Sequence, residues 1–169
     1  MGLEPDAIDP ADIDETPGPD EAPRAYALRM AVGKLAAVMP RHLGKLVLAA
    51  DSVVAVGRRI LPKAESEAQA RACLELMSGR RHKVLGGVAV GFPDGKVRTR
   101  LVETVVRFRR LQSADIESYV QGGEWKGKAG GYAIQGRAAT FISFIAGSYS
   151  NVVGLPLFET VQLLKASGG

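Results

Sequence analysis

The sequence predicts an α/β fold, a mixed twisted sheet with flanking helices. Three observations carry this. The apolar run 46–56 has the length and composition of a strand buried on both faces. Apolar residues recur at helical spacing on both sides of it. A strong hairpin turn, Pro93-Asp94-Gly95-Lys96, sets an antiparallel pair among the alternating helices and strands. A chain of 169 residues can bury a real core, and we expect a single domain over 1–169.

Each element has its local cause. Residues 1–24 hold five of the nine prolines and eight acids, so they read as an irregular, exposed segment. Within it, 7–9 and 12–14 look like short extended pieces. Pro23 then suits the first turn of a helix with Ala25, Leu28, Ala31, Val32, Leu35 and Ala36 on its apolar stripe, ended by Pro40 and Gly44. Lys34 lies on or beside that stripe, where a snorkelling lysine also fits. After the strand, Gly57-Arg58-Arg59 reads as a hairpin turn into a short Ile60-Leu61. Ser66 can cap a helix over 67–77 that Gly79 closes. Strands are expected over 83–92 and 97–108, the second alternating as a half-exposed antiparallel strand should. Ser113 is a cap candidate for a helix with Ile116, Tyr119 and Val120 inward. A strand-like run comes next at 140–146, then a turn at 147–151 and a final amphipathic helix with Val161, Leu163 and Leu164.

Composition excludes several classes. Hydrophobic residues make up 46% and charged residues 24%, ordinary globular values. The lone Cys73 excludes a disulfide framework and a cysteine zinc site. No apolar run is long enough to span a membrane and the first residues do not read as a signal peptide, so a cytoplasmic location is expected. The net charge of +4 is divided: residues 1–24 carry −7, which leaves +11 on the remainder. A basic body suits either an anionic partner or a solvated basic surface. Aromatics are only 6%, which argues against a stacking surface for nucleic acid.

Few residues could do chemistry. The histidines are His42 and His82 alone, and no Ser-His-Asp set, metal-type histidine pair or Walker loop is present. Asp51 interrupts the buried strand. A buried carboxylate needs a partner or a use, or it sits at a strand end on backbone amides. Glu15 and Asp51 could hold a hard cation such as Mg²⁺, and Lys34, Lys63 and Lys128 could neutralise phosphate oxygens. The segment 122–136 holds six glycines and could cradle a phosphate or simply be flexible. Together this inventory suits phosphoanhydride hydrolysis.

The ordered motifs sharpen that reading. They are Asp14-Glu15, Ala31-x-x-Lys34, Ala50-Asp51-Ser52-Val53-Val54, Lys63 and Ser78-Gly79-x-x-His82-x-Val84. They end with Lys128-Ala129-Gly130-Gly131-Tyr132-Ala133-Ile134-Gln135-Gly136 and Gly147-Ser148-Tyr149-Ser150-Asn151-Val152-Val153-Gly154-Leu155-Pro156-Leu157. In this order the chain resembles the Maf family of nucleoside triphosphate pyrophosphatases over nearly its whole length. The resemblance implies a two-lobed architecture with a central cleft. It also implies cleavage of a nucleoside triphosphate between the α and β phosphates with a divalent metal, Mg²⁺ or Mn²⁺. It makes Asp51 the general base or metal-anchoring carboxylate and Glu15 a second metal-linked acid. Lys34 and Lys63 become phosphate contacts, and Ser52, beside Asp51, a further substrate-binding residue. Gln135 becomes the residue facing the base. Ile134-Gln135-Gly136 resembles the subfamily acting on dTTP, UTP and modified pyrimidine nucleotides; the sister subfamily, acting on 7-methyl-GTP, has glutamate there. A homodimer and a link to septum formation are further implications.

Three departures from the family pattern stand out. Ser52 replaces threonine and keeps the hydroxyl. Pro62-Lys63-Ala64 replaces Gly-Lys-Pro, so the lysine's loop is expected to sit differently. The family's opening strand and Ser-x-Ser-Pro-Arg-Arg loop do not occur in this sequence, so we expect an N-terminally truncated member, either of poor stability or compensated by a dimer partner. The alternative function is then a catalytically weak or inactive nucleotide-binding or cell-division-regulating protein.

Overall fold

The structure, a computed structural model, describes residue 2 and residues 4–165. Strands β1 (Val47–Val56), β2 (Arg59–Leu61), β3 (Arg81–Gly91), β4 (Val97–Phe108) and β5 (Ile142–Ala146) form one sheet in the order β2-β1-β3-β4-β5. The fold is α/β as expected, and among the described residues every strand pairing is antiparallel. Helices α1 (Pro23–Val38), α2 (Glu67–Met77), α3 (Ser113–Gly122), α4 (Tyr149–Val153) and α5 (Leu157–Lys165) flank the sheet.

Strand alternation decides which residues meet which helix, because successive side chains leave opposite faces. Val53 and Leu85 pack with Tyr26, Ala27 and Met30 of α1, and Val47 and Ala89 pack with Ala31, Leu35 and Val38. The other face carries two clusters. Val54, Val84, Val106 and Phe108 meet α2, α3 and the segment around Trp125 and Tyr132, while Val88 and Val90 meet Leu163 of α5.

The buried face of α1 is therefore not the stripe expected from its alanines. Ala25, Val32 and Ala36 are exposed, and Tyr26, Ala27, Met30, Ala31, Leu35 and Val38 are buried. Alanine spacing misled because alanine is indifferent to either side of a helix, whereas Tyr26 and Met30 need burial. The helix over 67–77 forms as expected, with Ser66 Oγ accepting from the Gln69 N–H at 3.2 Å. The cap of α3 falls one residue earlier than expected, at Gln112, whose N–H donates to the Asp115 carboxylate at 2.8 Å. The stretch expected as a turn over 147–151 instead runs into the short helix α4, capped by Ser148 Oγ on the Asn151 N–H at 3.2 Å.

The acidic opening is irregular, as its prolines dictate, but it is tied down. The bases of α1 and the turn after it take its acids: Arg29 pairs with Glu21 at 2.7 Å, and Arg41 and His42 pair with Asp9 at 2.8 and 2.9 Å. Ile13 and Ala11 pack against the α1 clusters. The −7 of the opening is thus partly matched by neighbouring bases, and the segment is laid along the helix so that it delivers Glu15 to the sheet.

Candidate active site

Asp51 and Ser52 sit on β1 just before its pairing with β2 begins at Val54. Strand alternation sends them to opposite faces. Asp51 lies on the α1 side with Val53, opposite Gly87 in the register, and Ser52 lies on the α4 side, opposite Gly86. Two residues adjacent in sequence therefore leave opposite faces of the sheet, yet both border the cleft.

On the α1 side, Lys34 is the hub. Its Nζ lies 2.5 Å from Asp51 Oδ1 and 2.8 Å from Glu15 Oε1. Lys63 Nζ also donates to the other oxygen of Glu15. Asp51 is buried, at 7% exposure. Burial opposes the charged form of Lys34, but the hydrogen bonds and charges of Asp51 and Glu15 outweigh it and hold its pKa above the usual lysine value. Burial likewise works against the Glu15 carboxylate, yet the hydrogen bonds from Lys34 and Lys63 win, and its pKa lies below the ordinary value. Lys34 is thus no snorkelling lysine; its charge joins two carboxylates.

On the α4 side, Ser52 Oγ donates to the Gly154 carbonyl at 3.4 Å. A cavity of about 210 Å³ opens here, lined by Asp51, Ser52, Lys63, Lys128, Gln135 and Val153 among others. A second cavity of about 340 Å³, holding Glu15 and Tyr26, shares Asp51, Ser52, Lys63 and Ala129 with it, so the two form one cleft around the end of β2. A third cavity, about 370 Å³, lies between residues 5–11 and β1; it reaches Lys34 but neither Asp51 nor Gln135.

The glycine-rich segment does not present a row of free amides. Gly127, Gly130 and Gly131 donate to the carbonyls of Ala64, Pro62 and Lys128 at 2.9, 3.0 and 2.9 Å. Ala64 N–H returns a bond to Lys128 O at 3.1 Å, and Lys63 pairs with Ala129 as an isolated antiparallel bridge. The segment is a bonded arm that grips the Lys63 loop. Despite the Pro62-Lys63-Ala64 departure, Lys63 reaches Glu15. At the arm's far end Glu124 accepts the Arg137 N–H at 2.8 Å, and a Cβ at Gly136 would land on that carboxylate. A side chain at Gly136 would have to displace the Glu124 carboxylate, and the neighbouring Gln135 is exposed beside the cavity.

All six site residues expected from the sequence thus gather around this cleft: Glu15, Lys34, Asp51 and Lys63 in one charged chain, Ser52 and Gln135 on the adjoining cavity. Tyr26 was not among them. Its hydroxyl donates to the Glu15 carbonyl at 2.6 Å, and burial together with Asp51 and Glu15 raises its pKa. The signal was available: one aromatic at the start of a helix rich in alanine. The pair His82–Tyr132, 2.8 Å between Nε2 and the hydroxyl, was likewise visible only as separate motif residues.

Oxygen donors for a hard cation are present, since Asp51 and Glu15 meet at one ammonium. Among the described residues no cluster of three or more histidine, cysteine or acidic groups occurs. The donor set therefore suits a cation that takes few protein ligands and draws the rest from water and phosphate, as Mg²⁺ does, and not a zinc cage.

Known proteins resemble this chain throughout. A family profile described as Maf-like protein matches residues 1–167. A protein of Rhodospirillum rubrum named dTTP/UTP pyrophosphatase is 60% identical over 99% of this chain and 80% of its own length. Proteins of the same name from Caulobacter vibrioides and Paramagnetospirillum magneticum are 60% and 57% identical, over 99% of this chain and 87% and 88% of their own lengths. The chain belongs to the Maf family.

Proposed function

We propose that this chain hydrolyses dTTP and UTP to the monophosphate and pyrophosphate. The observation that carries the reading is the chain Asp51–Lys34–Glu15–Lys63 at the mouth of a cavity bearing Gln135. Water attacks the α phosphorus; the bond to the α–β bridging oxygen breaks, and its electron pair leaves with pyrophosphate. Asp51 takes the proton of the attacking water. Lys63 and Lys128 border the cavity and neutralise phosphate oxygens, and Lys34 holds Asp51 and Glu15 in register. Gln135 offers a neutral amide that both donates and accepts, which matches a pyrimidine edge.

Asp51 and Glu15 would hold a divalent cation, Mg²⁺ or Mn²⁺. When bound, such an ion screens phosphate charge and acidifies a bound water. A single buried cysteine and the nucleotide substrate together favour the cytoplasm as the place of action. Among the described residues no helix is long and apolar enough to cross a membrane.

The test is pyrophosphate release from a panel of dTTP, UTP, CTP, ATP and GTP. Turnover of dTTP and UTP well above the purine nucleotides is expected. Binding of dTTP without pyrophosphate release would favour the nucleotide-binding alternative.

A further inference from the structure

Helix α4 spans only Tyr149–Val153. An isolated helix needs on the order of 12–15 residues to hold, so tertiary contacts must set where α4 sits. The contact that does so is buried. Asn151 is fully inaccessible, and its Nδ2 lies 3.1 Å from Val84 O, 3.3 Å from Val102 O and 3.0 Å from Thr104 Oγ1. Thr104, also fully buried, accepts from the Ser148 N–H at 3.1 Å and donates to Ser148 O at 3.2 Å. Asn151 Oδ1 finds no partner among the described residues and rests on Gly86, where a Cβ would collide with it. Strands β3 and β4 pair along their length from Arg81↔Arg107 to Gly91↔Val97, so they do not need this amide to stay together. What the amide adds is the tie to α4.

The tie matters because Asn151 leads directly into the wall of the cleft. Val152 and Val153 line the cavity that holds Gln135, and Gly154 O accepts from Ser52 Oγ. We propose that Asn151 is a positioning residue for substrate selection. Its amide, seated on Gly86 and bound to Val84, Val102 and Thr104, fixes α4 so that Val152 and Val153 form an apolar wall for the nucleotide base and Gly154 orients the Ser52 hydroxyl. This rests on the reading of the cleft as a dTTP and UTP site. It assigns selectivity to a residue that touches no substrate, in addition to Gln135.

The test uses Asn151→Ser, Gly86→Ala, the double variant, and the milder Thr104→Val, which keeps the side-chain shape and removes the hydroxyl. Melting temperature is measured for each. Steady-state kcat and KM for dTTP and GTP are then measured at a temperature where each variant is folded. Calorimetric affinity for a non-hydrolysable α,β-imido dTTP gives a readout independent of turnover. We expect KM for dTTP to rise about tenfold or more, with kcat less affected, and the dTTP-to-GTP ratio of kcat/KM to fall by a similar factor. Gly86→Ala should cost little further once Asn151 is shortened, since the colliding atom is gone. Lower melting temperatures with unchanged KM and unchanged ratio would overturn the proposal and leave Asn151 a structural residue. Should Asn151→Ser fail to fold, Thr104→Val decides by the same criteria. If the unmodified protein binds the analogue but releases no pyrophosphate, the functional reading falls, and the analogue's affinity across the variants still decides the role of Asn151.

Discussion

Lys34 and Asp51 form a nearly buried ion pair, Nζ 2.5 Å from Oδ1, that joins helix α1 to strand β1. The pair sits where strand alternation turns Asp51 away from Ser52, so the fold separates the carboxylate from the hydroxyl beside it. Glu15 adds a second carboxylate, 2.8 Å from the same ammonium.

Replacing the lysine tests the pair. Lys34→Met keeps the stem and removes the charge, leaving Asp51 buried and alone. Loss of one partner of a buried pair costs about 3 kcal/mol, which urea unfolding at neutral pH will show. Adding Asp51→Asn to Lys34→Met should restore part of that stability without restoring turnover. Equal stability of Lys34→Met and the unmodified protein would remove the pair from the fold's support.

Gln135 tests the reading of the nucleotide base. Gln135→Glu keeps the size and replaces the amide by a carboxylate that can only accept. The expected result is a loss of about 10²-fold in kcat/KM for dTTP and UTP, because a base edge that needs a donor is left unpaired. Competition kinetics between dTTP and GTP measure it. An unchanged preference would place recognition elsewhere in the cleft.

His82 gives the fold a pH dependence of its own. Burial lowers its pKa from 6.5 to about 4, so the folded chain keeps it neutral where the unfolded chain would protonate it. Its stabilising effect is complete above pH 6.5 and is lost as the pH falls through about 4, about 3 kcal/mol across that window. Urea midpoints for the protein and for His82→Phe, compared from pH 7 to 4.5, should show the steeper decline only where the histidine is present. Parallel declines would contradict it.

Much of this site was legible in the residues. A carboxylate inside an apolar strand could only be partnered or used, and Asp51 is partnered by Lys34. The helix over 67–77 and the strand over 97–108 were legible because Ser66, the hairpin at 93–96 and clean alternation mark their ends. The face of α1 was not, since alanines fit either side and Tyr26 and Met30 decide the matter only when the sheet is present. Nor was the state of the glycine-rich segment. Its glycines allowed a phosphate cradle or a flexible loop, and only the register with residues 62–64 shows that the amides are already taken. Helix α4 was invisible for a similar reason: five residues carry no periodicity, and the buried Asn151 that fixes them bonds to strands nearly 50 residues or more away in sequence.

Asp51→Asn bears most directly on the proposed chemistry. The substitution keeps the shape and a hydrogen-bond acceptor for Lys34 while removing the base. Pyrophosphate release from dTTP should fall by at least about 10²–10⁴-fold, the contribution of a general base, while circular dichroism and the melting curve show a folded protein. Turnover at the unmodified rate by the folded variant would contradict the assignment of Asp51 as the catalytic carboxylate.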